Sequence, residues 1–514
     1  MSKDLRTLTF IGVGTLLGVF GTQFLPSYAK GERTPPKIIV DDNPVPRDQK
    51  FTTSFAPVIK KAAPSVVNIF ASRTLKEREM RGTHPFFFDP RDPRFRDFFG
   101  EDGGDDELPT PNQKAQALGS GVIVSEDGYI LTCNHVIEGA DEIKVEINGG
   151  KEFTAKVIGA DPPTDTAVLK VEATGLPAIT LANSDKLEVG DVVLAIGNPF
   201  GIGQTVTMGI VSATGRGELG IMAYEDFIQT DASINMGNSG GALVDAQGRL
   251  VGVNSAIMSR TGGNQGVGFA IPISMARVVM ERLISDGRVT RGYLGVHLQA
   301  LNPELATRLG VQDQSGALIT EVLEGTPGAE AGMKPWDLVV EYNGRKVTDY
   351  RQLRLMVSQT KPKTKTTFKV LRDGKNKTFN VTLAELPSER TLSGFLRRGG
   401  EPSAPEQEET LEGVEVGDLD ARSRRQFGIP SHVRGAVVTS VDANSPAFAK
   451  GLRPGDVILE IEKKPVTNAD VAVELSQEFK GNEVLLRVWS RGSTKYLLVP
   501  VHRIEEPKEQ EQEK

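Results

Sequence analysis

The sequence predicts a mostly β protein in which one domain of short strands precedes two copies of a smaller module. Three observations carry that prediction. Short apolar runs bounded by Gly, Asp and Asn turns recur from Leu118 to Ile271, a spacing that suits β-barrels and not βαβ units. Beyond Arg291 the chain repeats itself: Gly316-Ala317-Leu318-Ile319-Thr320-Glu321-Val322 matches Gly435-Ala436-Val437-Val438-Thr439-Ser440-Val441, and Pro327, Gly332, Pro335 and Asp337 match Pro446, Gly451, Pro454 and Asp456 at one offset of 119 residues. Finally, 38% hydrophobic residues with 55 glycines suit a turn-rich globular chain.

In chain order, Lys3 and Arg6 precede an apolar stretch from Leu8 to Leu25 and the small residues Ser27 and Ala29, so residues 1–29 read as an export signal cleaved after Ala29. The stretch is also long enough to stay uncleaved as a membrane anchor. Residues 30–50 are a polar, proline-rich linker. Phe51 to Phe70 give a short helix and then a strand, opening a domain over 51–290. Residues 73–115, with Phe86-Phe87-Phe88, Phe95, Phe98 and Phe99 among prolines and charges, read as a long surface loop with aromatic anchors, either disordered or regulatory. Apolar residues at helical spacing from Ser274 to Asp286 close the domain. The repeated modules occupy 291–386 and 411–504. Residues 387–410, rich in Ser, Pro, Gly and Glu, link them, and a charged tail covers 505–514.

Composition narrows the chemistry. A net charge of −7 and a pI near 5.6 argue against a nucleic-acid binder. The one cysteine, Cys133, excludes an internal disulfide and a cysteine-based zinc site. An exported chain without disulfides points to a bacterial periplasm.

Within the first domain, Gly237-Asn238-Ser239-Gly240-Gly241 follows His135 and Asp165 in the order His, Asp, Ser. A serine hydroxyl is a poor nucleophile at neutral pH; it needs an imidazole to take its proton and a carboxylate to hold that imidazole in the right tautomer. The chain has five histidines (His84, His135, His297, His432 and His502), and His135 alone lies in the same domain outside the charged insertion. The glycines beside Ser239 let backbone N–H groups converge on one point, as an oxyanion requires. Cys133 lies two residues from His135 with no such donors near it, and reads as a small buried side chain.

Two other motif readings fail on context. Gly237–Gly241 fits a G-x-S-x-G nucleophile elbow, but Ala242–Val253 reads as a hairpin around Asp-Ala-Gln-Gly, and the elbow's partners follow the serine instead of preceding it. Gly215-Arg216-Gly217-Glu218-Leu219-Gly220 fits a dinucleotide fingerprint, yet no amphipathic helix follows to receive a phosphate, so it reads as a flexible loop.

Thr132–Val136, Thr164–Lys170, Gln229–Asn235 and Gly237–Leu243 together resemble the Do-like (HtrA) serine proteases, and the repeated module looks like the PDZ domain those proteases carry. The resemblance implies a chymotrypsin-like double β-barrel followed by two PDZ domains. It further implies an ATP-independent periplasmic endoprotease of misfolded or unfolded proteins, with chaperone activity and assembly from trimers, needing no metal or nucleotide cofactor. Carried over by position, His135 is the general base, Asp165 its orienter and Ser239 the nucleophile. Gly237, Asn238 and Ser239 supply the oxyanion donors, and Ile234 narrows the specificity pocket toward small aliphatic side chains. Arg216 matches an arginine that relays PDZ or substrate occupancy to the active-site loops; a solvated loop charge is the other reading of that residue. Arg291-Gly292-Tyr293-Leu294-Gly295-Val296 resembles the PDZ loop that captures the carboxylate of a peptide with a free apolar C-terminus, with Tyr293, Leu294, Gly295 and Val296 as its binding residues. Its counterpart Leu411-Glu412-Gly413-Val414 lacks the apolar-Gly-apolar pattern, which turns the second copy toward assembly. Phe51, Phe55 and the Phe86–Phe99 loop are candidate trimer contacts, or else pack on their own domain.

Overall fold

The fold is that of a computed structural model that describes residues 36–44, 54–74, 114–147, 150–198, 203–235, 237–257, 264–311, 314–387 and 408–501. The export segment, the tail and the Phe86–Phe99 loop lie outside them. Among the described residues no helix is long and apolar enough to cross a membrane.

Twelve strands close into two antiparallel barrels. The first contains β1 (Val66–Thr74), β2 (Lys114–Ile123), β3 (Tyr129–Cys133), β4 (Glu142–Ile147), β5 (Lys151–Asp161) and β6 (Thr166–Val171) in the order β1-β2-β3-β6-β5-β4. The second contains β7 (Val192–Gly197), β8 (Thr205–Arg216), β9 (Phe227–Thr230), β10 (Ala242–Asp245), β11 (Leu250–Ile257) and β12 (Gly268–Pro272) in the order β10-β11-β12-β9-β8-β7. The runs that read as strands are strands because their side chains fill these barrels: every residue of β3, β10 and β12 is buried. Closure also removes the exposed edges that a short-stranded sheet would leave. The expected Asp245–Arg249 hairpin is present. Asp245 accepts from the Gln247 and Arg249 N–H groups at 2.9 Å each and from Arg249 Nε at 2.8 Å, a buried pair that fixes the turn.

The helix Ala56–Ala62 leads into β1, and Phe55 at its start packs on the core of its own domain. The helix Ile273–Asp286 closes the domain and buries Met275, Val279, Leu283 and Ile284 against it.

The first repeat holds β13 (Gly292–Tyr293), β14 (Val296–Gln299), β15 (Ala317–Val322), β16 (Leu338–Tyr342), β17 (Arg345–Lys346), β18 (Lys365–Arg372), β19 (Lys375–Thr382) and β20 (Ala384–Glu385), with the helix Tyr350–Gln359. The second holds β21 (Glu408–Leu411), β22 (Val414–Asp418), β23 (Ala436–Val441), β24 (Val457–Ile461), β25 (Lys464–Pro465), β26 (Glu483–Ser490) and β27 (Ser493–Pro500), with the helix Ala469–Glu478. The last three residues read from composition as linker, Glu408–Thr410, are thus strand. The two repeats pack on each other. Trp336 and Tyr496 stack with ring centres 3.7 Å apart, and Gln299 exchanges side-chain hydrogen bonds of 2.7 and 3.2 Å with the Tyr496 backbone. Leu485, Tyr496 and Leu498 share a buried cluster with Leu301, Leu305, Leu318 and Leu338.

Candidate active site

The candidate site lies where the barrels meet. Strand β3 delivers His135 on a single helical turn, Asn134–Ile137, and the turn Pro162-Pro163-Thr164 delivers Asp165 just before β6. Asp165 sits in the left-handed region at φ 50°, which aims its carboxylate back at the histidine. Its Oδ2 lies 2.7 Å from His135 Nδ1, and its Oδ1 accepts the His135 backbone N–H at 2.9 Å. One carboxylate therefore holds both the ring and the backbone of the same residue.

The second barrel supplies the serine. Ser239 Oγ donates to the Ser255 carbonyl at 3.1 Å, and Ser255 Oγ donates to Asp165 Oδ2 at 3.0 Å. Ser255, on β11, joins the serine to the His–Asp pair and was missed from sequence, because nothing in Asn254-Ser255-Ala256 separates it from any strand serine. A hydroxyl has one proton to give, so in this conformation Ser239 directs it at Ser255 and not at the imidazole.

The turn around Ser239 is clamped from the first barrel. Ser120, on β2, donates its N–H to the Ser239 carbonyl at 2.9 Å and its hydroxyl to the Gly237 carbonyl at 2.8 Å. Gly240, at φ 82°, passes so close that a Cβ there would lie 2.1 Å from the Ser120 carbonyl oxygen, so only glycine fits. Gly237 also has a positive φ, of 92°. The three expected oxyanion donors are not equivalent. The Asn238 N–H is committed to the Asn235 carbonyl at 3.0 Å and so does not point to an oxyanion in this conformation; Gly237 and Ser239 are left as the candidates.

Cys133, His135 and Asp165 are, among the described residues, a His/Cys/Asp/Glu group with ligand atoms within 4.8 Å of one another. Burial pushes the Cys133 thiol well up, and Asp165 adds to the shift. A neutral thiol is neither a nucleophile nor a good metal ligand, and its Sγ donates to the Asn254 carbonyl at 3.4 Å.

Ile234 is buried in the core of the second barrel, with Cδ1 2.9 Å from where a Gly268 Cβ would stand. Arg216 ends β8 and donates from Nε to Gln229 Oε1 at 2.8 Å. The glycines after it suggested a flexible loop here, but the loop is held: Glu225 accepts the N–H groups of Leu219, Ile221 and Met222 at 2.7, 2.6 and 3.0 Å. Glu218 in that loop meets the Tyr350 hydroxyl on the first repeat's helix. A second bridge is deeper. Arg291 makes paired contacts of 3.0 and 2.6 Å with Asp161, which also takes the Thr164 hydroxyl at 2.5 Å, one residue from Asp165. Arg291 and Arg354 flank the Tyr224 ring at 4.7 and 4.8 Å.

In the first repeat, Tyr293 ends β13, Leu294 is buried, Gly295 takes φ 78° and Val296 opens β14. A Cβ on Gly295 would lie 2.2 Å from the Thr326 side chain. The turn is therefore tied to glycine by both space and conformation.

Two barrels carrying Ser, His and Asp at their junction define a serine endopeptidase of the trypsin-like class. The Trypsin-like peptidase domain family matches residues 119–253 and the PDZ domain family matches residues 292–383 and 413–501. The chain is 41% identical over 450 residues to a probable periplasmic serine endoprotease DegP-like of Chlamydia muridarum, covering 86% of this chain and 87% of that one. It is 40% identical to the DegP-like protein of Ectopseudomonas mendocina, covering 87% and 94% of the two chains. The HtrA-type protease AlgW solved with a decapeptide is 46% identical, with a TM-score of 0.51, over 65% of this chain and 100% of that one. The chain belongs to the DegP-like periplasmic serine endoproteases: it is a serine endopeptidase of the HtrA type with two PDZ domains.

Proposed function

We propose that Ser239 is the nucleophile, His135 the general base and Asp165 its orienting carboxylate. The observation that carries this is the chain of contacts Ser239 Oγ–Ser255 O and Ser255 Oγ–Asp165 Oδ2, with Asp165 also on His135 Nδ1, which brings three residues far apart in sequence into one junction. With Asp165 on Nδ1, Nε2 is the nitrogen placed to take the serine proton. Rotation of the Ser239 side chain from Ser255 toward that ring arms it; Ser239 then attacks the peptide carbonyl, His135 passes the proton to the leaving amine, and water releases the acyl group. The Gly237 and Ser239 N–H groups meet the developing oxyanion, and Ile234 limits the pocket before the cut to small aliphatic side chains. Arg216 and its loop report PDZ1 occupancy to this site through the Glu218–Tyr350 contact.

The substrates are misfolded or unfolded exported proteins, cleaved without ATP, and the working assembly is a trimer or a multiple of it. Peptides with free apolar C-termini bind PDZ1 at Tyr293-Leu294-Gly295-Val296. Peptide binding by PDZ domains and the peptide-bound HtrA-type structures support that last step. In the test, Ser239→Ala abolishes cleavage of a denatured model protein with the fold intact; cleavage retained by that variant would refute the assignment. The inward-turned Ser239 hydroxyl favours a second reading, a holdase chaperone with a resting protease. Fluorophosphonate labelling with and without an apolar C-terminal peptide separates the two: labelling that never rises above background favours the holdase.

A further inference from the structure

The two PDZ copies differ at the place where a ligand adds. A PDZ domain takes an extended peptide as an extra strand on a sheet edge, against a neighbouring helix. In PDZ1 that edge is β14 and the helix is Tyr350–Gln359. The sheet begins at β14, and among the described residues no strand pairs with its outer side. In PDZ2 the corresponding elements are β22 and the helix Ala469–Glu478, which stands 119 residues on at both ends. There the sheet begins one strand earlier. β21 lies on the outer edge of β22, antiparallel, with Glu408 opposite Val416, Glu409 opposite Glu415 and Leu411 opposite Val414.

That strand also meets the helix. Thr410 Oγ1 donates to the Ala472 carbonyl at 3.0 Å and lies 3.1 Å from Ser476 Oγ, one turn further along the same face. Thr410 and Leu411 are 8% and 7% exposed, and Leu411 joins the core cluster of PDZ2 with Val414 and Ala472. The chain then turns through Glu412 and Gly413, at φ 70°, straight into β22, so the position a free carboxylate would take is filled by continuous backbone.

The first copy avoids this for a visible reason. Its lead-in residues, Gly292 and Tyr293, pair with β20, and Arg291 just before them is pinned to Asp161 in the protease domain. Both contacts hold the lead-in off β14.

We propose that PDZ2 carries its own ligand: Glu408–Leu411 fills the groove between β22 and the helix Ala469–Glu478, so C-terminal peptides reach PDZ1 alone while that strand is in place. This rests on the reading of PDZ1 as a peptide receptor, but its first readout does not. A tethered strand faces the groove at millimolar effective concentration, which a free peptide of ordinary affinity must exceed.

The test is amide hydrogen exchange on the full chain carrying Ser239→Ala, with and without a decapeptide ending in an apolar residue. Without peptide, the amides of Glu409–Val416 exchange slowly, and Thr410→Asp, which sets a charge against Ala472 and Ser476, speeds them at least tenfold. Exchange already as fast as in an unstructured linker would overturn the proposal whatever the peptide does. With peptide, β14 gains protection and β22 does not; in Thr410→Asp, β22 gains it too. Protection of β22 in the unmodified groove, or none after the strand is released, overturns the claim of exclusion. Protection of neither strand in any variant sinks the PDZ1 reading and, with β22 silent after release, the exclusion with it. If Thr410→Asp unfolds the domain, seen as lost protection across β26 and β27, Glu409→Pro replaces it, because proline removes a ladder N–H without burying a charge.

Discussion

Arg291, the first residue of the PDZ1 lead-in, makes a two-pronged ion pair with Asp161, four residues before Asp165, with contacts of 3.0 and 2.6 Å. Both side chains are under a tenth exposed. A buried pair of this kind adds little net stability over an apolar substitute, but losing one partner strands a charge at a cost of about 3–5 kcal/mol. Arg291→Ala is therefore expected to lower the melting temperature and, through Thr164 and Asp165, to reduce kcat more than KM. Arg291→Lys restores little, because a single ammonium cannot make the paired contact. Unchanged kcat in both variants would show that this pair only fastens the domains together.

Ser255 connects the serine to the carboxylate through two different atoms. Its carbonyl holds the Ser239 proton in the resting position, and its hydroxyl donates to Asp165. Ser255→Ala removes only the second. A hydrogen bond to a charged group contributes about 1.5–3 kcal/mol, so kcat should fall roughly ten- to a hundredfold, well short of the loss in Ser239→Ala. Steady-state cleavage of a short peptide measures it.

Gly240→Ala is expected to abolish activity without touching a reacting atom. The added Cβ would lie 2.1 Å from the Ser120 carbonyl oxygen and 2.3 Å from Thr132 Oγ1, at a φ of 82° that side chains rarely adopt. The Ser239 turn must then shift off β2. Soluble protein with wild-type fluorophosphonate labelling would contradict the expectation.

Asp226 gives a pH dependence with a definite sign. Burial pushes its carboxyl up to about 7 from 3.8, with Asp185 and Asp349 adding to the rise and Arg351 opposing it. Between those values the unfolded chain has lost this proton while the folded chain keeps it, so stability from this group falls as pH rises from about 4 to about 7 and is level above. Asp226→Asn should melt higher than the parent at pH 8 and no differently at pH 4. Asp349 caps the helix Tyr350–Gln359 of PDZ1, so the same titration bears on the contact between PDZ1 and the Arg216 loop. Thermal melts across pH 4–8 decide it.

Trp336 lies at the contact between the two PDZ domains, stacking on Tyr496 and donating from Nε1 to Glu460 at 2.9 Å. Trp336→Ala removes both and should separate the domains, raising the radius of gyration in small-angle scattering while each domain keeps its own melting transition.

The barrels and the duplicated module were legible in the letters, and the candidate triad could be proposed from them, because each reading rests on a local rule: short apolar runs between turns, a fixed repeat offset, and residue types that one reaction demands. Ser120, Ser255, Asp161 and Arg291 were not. Each acts through a partner brought near by strand pairing or domain packing, across 119 residues from Ser120 to Ser239 and 130 from Asp161 to Arg291 in a chain whose local sequence there looks ordinary. The short Glu-Glu-Thr-Leu run shows the limit best. Its composition is that of a linker, and its neighbours β22 and the helix Ala469–Glu478 made it a strand. Likewise, Gly-Asn-Ser-Gly-Gly names three possible oxyanion donors, and only the folded turn commits the Asn238 N–H elsewhere. Local order is written in spacing, whereas the choice of hydrogen-bond partner depends on which distant groups share the space after the apolar faces have closed.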